Sequence, residues 1–276
     1  MSRIAQRFAE LKRANRAAFI PFITAGDPNA DTSFAILEKL AGAGADLIEL
    51  GVPFSDPMAD GPAVQASSLR ALDGGMNVIK LLDLVRRFRK TDSRTPLVLM
   101  GYYNPIHAYG TARFAKDAAE AGADGLITVD LPPEEDDVLR APAAAQNLDI
   151  IRLATPTTDE RRLKAVLNGA SGFVYYVSIA GVTGTKDFAT DDVRGALAKL
   201  RAHTNLPIAV GFGIKTPQQA AAIAQIADAA VVGSAIVSKI GENVAAGRQR
   251  MVDETTDFCR ELANSVHAAR ANTVVE

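Results

Sequence analysis

Residues 46–65 read DLIELGVPFSDPMADGPAVQ and contain three carboxylates after the first residue, at Glu49, Asp56 and Asp60. Leu47 and Ile48 form a short apolar run that predicts a buried strand. Glu49 and Leu50 finish the strand and Gly51 ends it. Pro53, Pro57 and Pro62, with Gly61, make the following stretch a loop, because proline fixes φ and removes an N–H donor. A carboxylate on a strand end, facing another on a loop able to close, suits acid–base chemistry. Read alone, the same residues fit equally well a surface charge at Glu49 and a helix N-cap at Asp60. The elements that hold them must decide.

Short apolar runs recur at 18–23, 46–50, 97–100, 124–129, 149–153, 173–177, 207–210 and 228–232, each followed by residues at helical spacing. Continuous apolar runs are what parallel strands buried on both faces require. The phrases AGAGAD, ending at Asp46, and AGAD, ending at Asp124, mark a glycine stop and re-entry into the sheet. Eight strand–helix units in one domain, residues 1–276, predict an α/β protein: a (β/α)₈ TIM barrel. Ile4, Phe8 and Leu11 at helical spacing add an N-terminal helix, and a loop and helix are inserted after the second strand. An open doubly wound sheet would carry GxGxxG after its first strand, and Gly26-Asp-Pro-Asn is not that. Finer readings are a helix capped by Asp31, a turn at 102–105, a helix over 109–121, a helix from 133 to 146, and a helical tail over 244–269.

In such a barrel the site lies at the C-terminal strand ends. Those ends carry SIAGVTGT at 178–185, GFGI at 211–214 and GSAI at 233–236. Glycine-rich backbone with a helix N-terminus forms an anion site, so three such loops at one end point to phosphate. Tight turns alone would explain any single one. Phe22, Met100, Ile127, Val129, Tyr175 and Phe212, with Tyr102, stand at the same ends and could line a flat apolar pocket. Together these features predict a substrate with one aromatic and one phosphorylated end.

Composition narrows the partners. The net charge is −2 and the pI about 6.0, so no global field favours nucleic acid or an anionic membrane. Cys259 stands alone, and His107, His203 and His267 are far apart, so no metal site is expected. The N-terminus lacks an apolar signal segment, and no stretch is long and apolar enough to span a bilayer, so a cytoplasmic location is expected.

The runs LIELGVPFSDPMADGP, LVLMGYYNPI, DLPPEE, YYVSIAGVTGT, PIAVGFGI and VVGSAIV together resemble the tryptophan synthase α chain. That resemblance covers nearly the whole length, and its first and fourth runs are highly specific. It implies a barrel that cleaves indole-3-glycerol phosphate to indole and glyceraldehyde 3-phosphate, in tryptophan biosynthesis. It implies Glu49 and Asp60 as catalytic carboxylates. It implies phosphate binding at Gly184, Gly213, Gly233 and Ser234, and contact with the indole at Phe22, Tyr102, Tyr175 and Phe212. It implies no cofactor in this chain and a pyridoxal-phosphate β chain as partner, in an α₂β₂ complex. Thr183 is expected to reach Asp60 once the 179–186 loop closes over ligand. Val52, Phe54 and Met58 are expected to be exposed on a docking rim. Two rival readings are a sugar-phosphate isomerase or epimerase, which leaves the GVPFSDPMADGP loop unexplained, and a non-catalytic barrel scaffold, against which the intact carboxylates argue.

Overall fold

The computed structural model describes residues 2–178, 190–211 and 213–271. The first half runs α1 (Arg3–Arg13), β1 (Ala18–Thr24), α2 (Ala30–Leu40), β2 (Ile48–Gly51), α3 (Pro62–Asp73), α4 (Val78–Thr91), β3 (Leu97–Gly101), α5 (Tyr103–Tyr109), α6 (Thr111–Ala121) and β4 (Gly125–Thr128). The second runs α7 (Asp137–Ala145), β5 (Asp149–Ile150), β6 (Arg152–Ala154), α8 (Glu160–Leu167), β7 (Val174–Val177), α9 (Thr190–Arg201), β8 (Ile208–Gly211), α10 (Pro217–Ile226), β9 (Ala229–Val232), α11 (Ser234–Glu242), a single 3₁₀ turn and α12 (Arg248–Ala268).

All strand pairs are parallel, in the order β5-β4-β3-β2-β1-β9-β8-β7-β6. The two ends of that order are consecutive in sequence, separated only by Ile151. The Ile151 N–H donates to the Leu126 carbonyl at 3.0 Å, carrying the β4 ladder up to the break, and β6 then pairs with β7. β5 and β6 are thus one broken stave. Eight staves close the barrel, as the sequence predicts.

Side chains alternate across each stave, because successive Cβ atoms point to opposite faces. Ile20, Leu47, Val98, Ile127, Tyr175 and Ala209 belong to an inner apolar cluster, whereas Phe19, Ile48, Leu50 and Leu99 pack in the outer one, with the helices. The inner cluster also holds Ile4, Phe8 and Leu11 of α1, with Phe8 and Phe173 ring centroids 5.8 Å apart. α1 therefore stops the N-terminal mouth of the barrel, and its three apolar residues are the ones the helical spacing picks out.

Around that mouth one device occurs three times. Asp46 accepts the Phe19 N–H at 2.8 Å, Asp124 that of Leu97 at 2.8 Å, and Asp228 that of Ile208 at 2.9 Å. Each aspartate precedes a strand and holds the start of the strand beside it. Each also takes an arginine: Arg7 at 2.6 Å, Arg89 at 2.7 Å and Arg201 at 3.5 Å respectively. Arg3 of α1 adds a bond to Asp124 at 2.8 Å, and His267 near the end of α12 lies 2.8 Å from Asp46. This is why aspartate follows Gly-Ala at two of these junctions.

Several finer readings change. α2 is capped by Asn29, whose side chain accepts the Thr32 N–H, and Asp31 lies in the first turn. Residues 103–109 form α5 rather than a turn. Gly110, at φ 97°, separates α5 from α6, and Gly247, at φ 88°, precedes α12. α7 begins only at Asp137. Among the described residues no helix is long and apolar enough to cross a membrane, and no group of three or more His, Cys, Asp or Glu could hold a metal ion.

Candidate active site

Glu49 lies in β2 between Ile48 and Leu50. Because Leu47 and Ile48 face inward and outward in turn, Glu49 points inward. Its register partners are Phe22 of β1 and Val98 of β3, and parallel partners share a face. The residue is 1% exposed, and neither carboxyl oxygen has a hydrogen-bond partner among the described residues. Burial without a compensating charge pushes the Glu49 pKa up to about 8. Glu49 is therefore a neutral acid near pH 7, with its proton uncommitted.

Asp60 approaches from the loop between β2 and α3. It stands one residue before Gly61, the N-cap of α3, with Pro62 opening the helix. The Tyr102 hydroxyl, at the end of β3, donates to Asp60 Oδ2 at 3.1 Å and accepts the Ala59 N–H at 2.9 Å. Burial raises the Asp60 pKa, and the Tyr102 hydrogen bond pulls against that shift without reversing it. Phe54 packs on the Tyr102 ring, with centroids 5.4 Å apart. The loop is thus gripped at its middle and its end by one tyrosine. This grip is absent from the sequence reading, since it joins a strand end to a loop 42 residues away.

Tyr175, in β7, fills the interior beside these groups. Burial raises its hydroxyl pKa first, and the charges of Glu49 and Asp60 raise it further. Two glycines make room for the aromatic rings. A Cβ on Gly211 would stand 2.1 Å from the Tyr175 hydroxyl, and one on Gly51 would stand 2.6 Å from Phe22 Cζ. In register Gly51 pairs with Thr24 and Gly211 with Val177, two residues along from Phe22 and Tyr175. In sequence the one reads as a strand end and the other as part of a glycine-rich loop. Phe22, Asp60, Met100, Tyr102 and Val129 line one cleft at this end. The structure therefore brings together Glu49, Asp60, Phe22, Tyr102 and Tyr175.

Gly233 and Ser234 open α11, whose N-terminus has no side-chain cap. Phe22 lies 3.4 Å from where a Gly233 Cβ would be, so this helix start borders the same cleft. Gly213 holds φ 80°, a left-handed value that favours glycine. Thr183, Gly184 and Phe212 lie outside the described residues, as does the 179–186 loop. The rim is less apolar than the sequence suggests. Met58 is 85% exposed, but Val52 is buried and Phe54 is half-buried on Tyr102.

A family model described as tryptophan synthase alpha chain matches residues 8–267. Among solved structures, tryptophan synthase subunit alpha from Legionella pneumophila str. Paris is 39% identical, with a TM-score of 0.90 over 96% of this chain and 98% of that one. A tryptophan synthase alpha chain from Legionella pneumophila subsp. pneumophila is 37% identical, with a TM-score of 0.89 over 99% and 100%. Tryptophan synthase from M. tuberculosis, in an aminoacrylate-bound form, is 34% identical, with a TM-score of 0.85 over 96% and 100%.

Proposed function

The chain belongs to the tryptophan synthase alpha chain family, and from that premise we propose how its residues divide the work. As an α subunit it is a lyase of tryptophan biosynthesis that cleaves indole-3-glycerol phosphate to indole and glyceraldehyde 3-phosphate. The residue roles, the cofactor arrangement and the partner are our reading.

The reaction is a retro-aldol cleavage. An aromatic ring carbon leaves poorly until it is protonated, and protonation puts positive charge on the ring nitrogen. Glu49, neutral near pH 7, gives its proton to the ring carbon. The carbon–carbon bond then breaks, its electron pair returns to the indole ring, and the adjacent glycerol hydroxyl becomes a carbonyl. The hydroxyl proton passes to Glu49, which ends the cycle neutral. Asp60 faces the ring N–H and stabilises its developing positive charge, held there by Tyr102. Phe22, Tyr102, Tyr175 and Phe212 enclose the indole, and Thr183 adds a contact to Asp60. Gly184, Gly213, Gly233 and Ser234 hold the phosphate through backbone N–H groups and the start of α11.

The observation that carries this assignment is the buried carboxyl of Glu49, which has no hydrogen-bond partner among the described residues. A structural carboxylate would be paired, whereas a proton donor to an apolar ring must not be. The cleavage needs no cofactor in this chain, because the protonated indole itself takes up the electrons. Indole is small, neutral and apolar, and it would be lost into water. We therefore assign a β-chain partner in an α₂β₂ complex, holding the pyridoxal phosphate that lets it join indole to serine, with both chains cytoplasmic. The test is indole release by the purified chain and by Glu49→Gln. The substitution should lower kcat at least about a hundredfold and leave substrate binding intact. Near-normal kcat in the variant would remove Glu49 from the chemistry.

A further inference from the structure

We propose that the ion pair between Asp27 and Arg70 is a positioning device that fixes the span between Asp60 and the phosphate end of the site. The proposal rests on the roles given above to Asp60 and to Gly233–Ser234. Arg70 lies in α3 and Asp27 in the loop after β1. The contact is bidentate, Nε to Oδ1 at 2.7 Å and Nη2 to Oδ2 at 2.8 Å, and the Asp27 side chain is fully buried. The third guanidinium nitrogen faces α11: a Cβ on Gly241 would stand 3.1 Å from Nη1. Arg70 therefore joins β1, α3 and α11 at one point.

The placement of that point along the two helices matters. Asp60 precedes the first turn of α3, and Ser234 begins α11. Arg70 and Gly241 both lie towards the opposite ends of those helices, roughly 10–13 Å further along at 1.5 Å per residue. α3 and α11 pack on each other and are tied near their C-terminal halves at Arg70, with the groups that grip the two ends of the substrate at their N-terminal ends. Any slip at that tie changes the gap between those ends. A flat guanidinium docked by two parallel bonds resists both sliding and rotation, whereas a lysine ammonium is a point charge that does not. A second bond, Thr24 Oγ1 to Ser67 Oγ at 2.6 Å, ties the middle of α3 to the end of β1.

A purely stabilising role explains the pair less well. Buried ion pairs are often no more stable than apolar pairs of the same volume. Burial raises the Asp27 pKa, and the Arg70 bonds counter that shift without reversing it.

The test uses Arg70→Lys and Asp27→Asn and three ligands: indole, glycerol 3-phosphate, and an uncleavable analogue with indole and phosphate joined by three carbons. The unmodified chain is measured first. If it neither cleaves indole-3-glycerol phosphate nor binds the linked analogue more tightly than the fragments, the reading of the site fails, whatever Arg70 does. If it passes, the variants should bind each fragment within about twofold of normal, bind the linked analogue about tenfold more weakly, and lose about tenfold to a hundredfold in kcat. A lowered Tm with normal kcat and normal linked-ligand affinity would overturn the proposal, as would equal losses for fragments and linked ligand. Gly241→Ala, which crowds the guanidinium without changing charge, should show the same selective loss and serves if either other variant does not fold.

Discussion

At Glu49 the burial that keeps the carboxyl protonated near pH 7 also makes folding depend on pH. In the unfolded chain a glutamate loses its proton near pH 4.3. In the folded chain Glu49 keeps it to about 8. Between those values the folded state holds a proton that the unfolded state has lost. Stability therefore falls as pH rises, by ~1.4 kcal/mol per unit at most, and levels off above the folded pKa. Glu49→Gln cannot ionise, so its Tm relative to the unmodified chain should rise steadily from about pH 5 to about pH 8. A Tm difference that is flat across that range would mean Glu49 is already ionised. Tyr102→Phe tests the other carboxylate. Among the described residues it removes the one bond that lowers the Asp60 pKa, so the acid limb of the kcat/KM profile should move to higher pH. The bond reaches a carboxylate, so kcat/KM at neutral pH should fall about tenfold to a hundredfold. An unmoved acid limb would show that Tyr102 does not act through Asp60. Glu49 and Asp60 are legible in the sequence because both sit in one uninterrupted, specific stretch. The role of Tyr102 on Asp60 is not, because only closure of the barrel brings the end of β3 to that loop.

At the scale of elements, the staves could be read almost to the residue, since a stave buried on both faces leaves an apolar run bounded by glycine. Helix starts were harder to place. Tyr102-Tyr-Asn-Pro105 has the composition of a turn, yet residues 103–109 form α5. Proline at the third helical position costs no internal bond, because first-turn N–H groups have none. The cap is also remote: the Asp130 carboxylate, from the end of β4, accepts the Tyr103 N–H at 2.7 Å. No local pattern reveals a cap supplied from another stave. α1 is the opposite case, since its spacing alone marks Ile4, Phe8 and Leu11 as buried. If α1 is the stopper of the barrel mouth, Phe8→Ala should cost ~3–5 kcal/mol of stability. Activity per folded molecule should remain, since Glu49 stands towards the other end of the same interior. An unchanged Tm would mean that α1 merely rests on the barrel.

For the whole molecule, the prediction concerns assembly. Met58 stands 85% exposed on the loop that ends in Asp60, a position where an apolar side chain gains nothing in water. Mixed with a matching β chain, this chain should comigrate on a sizing column and cleave indole-3-glycerol phosphate faster than it does alone. Met58→Glu should weaken that comigration. Absence of any complex at micromolar concentrations, with full activity of the chain alone, would make it a free-standing lyase. The global architecture was legible because the βα period repeats eight times. The exposure of the expected docking rim was only partly legible, because Val52 and Phe54 look as exposed in sequence as Met58 does, and only packing against Gly101 and Tyr102 hides them.

The ring of aspartates at the closed mouth has a practical consequence. Ser2 donates to Asp149 at 2.7 Å and His267 lies 2.8 Å from Asp46, so the residues near both ends of the described chain are pinned to the N-terminal strand ends. Glu49, Asp60 and the start of α11 open at the opposite pole. A linker fused at either end would thus anchor the molecule to a bead or electrode by its base. Each immobilised copy would then be tethered on the side away from the Glu49–Asp60 end.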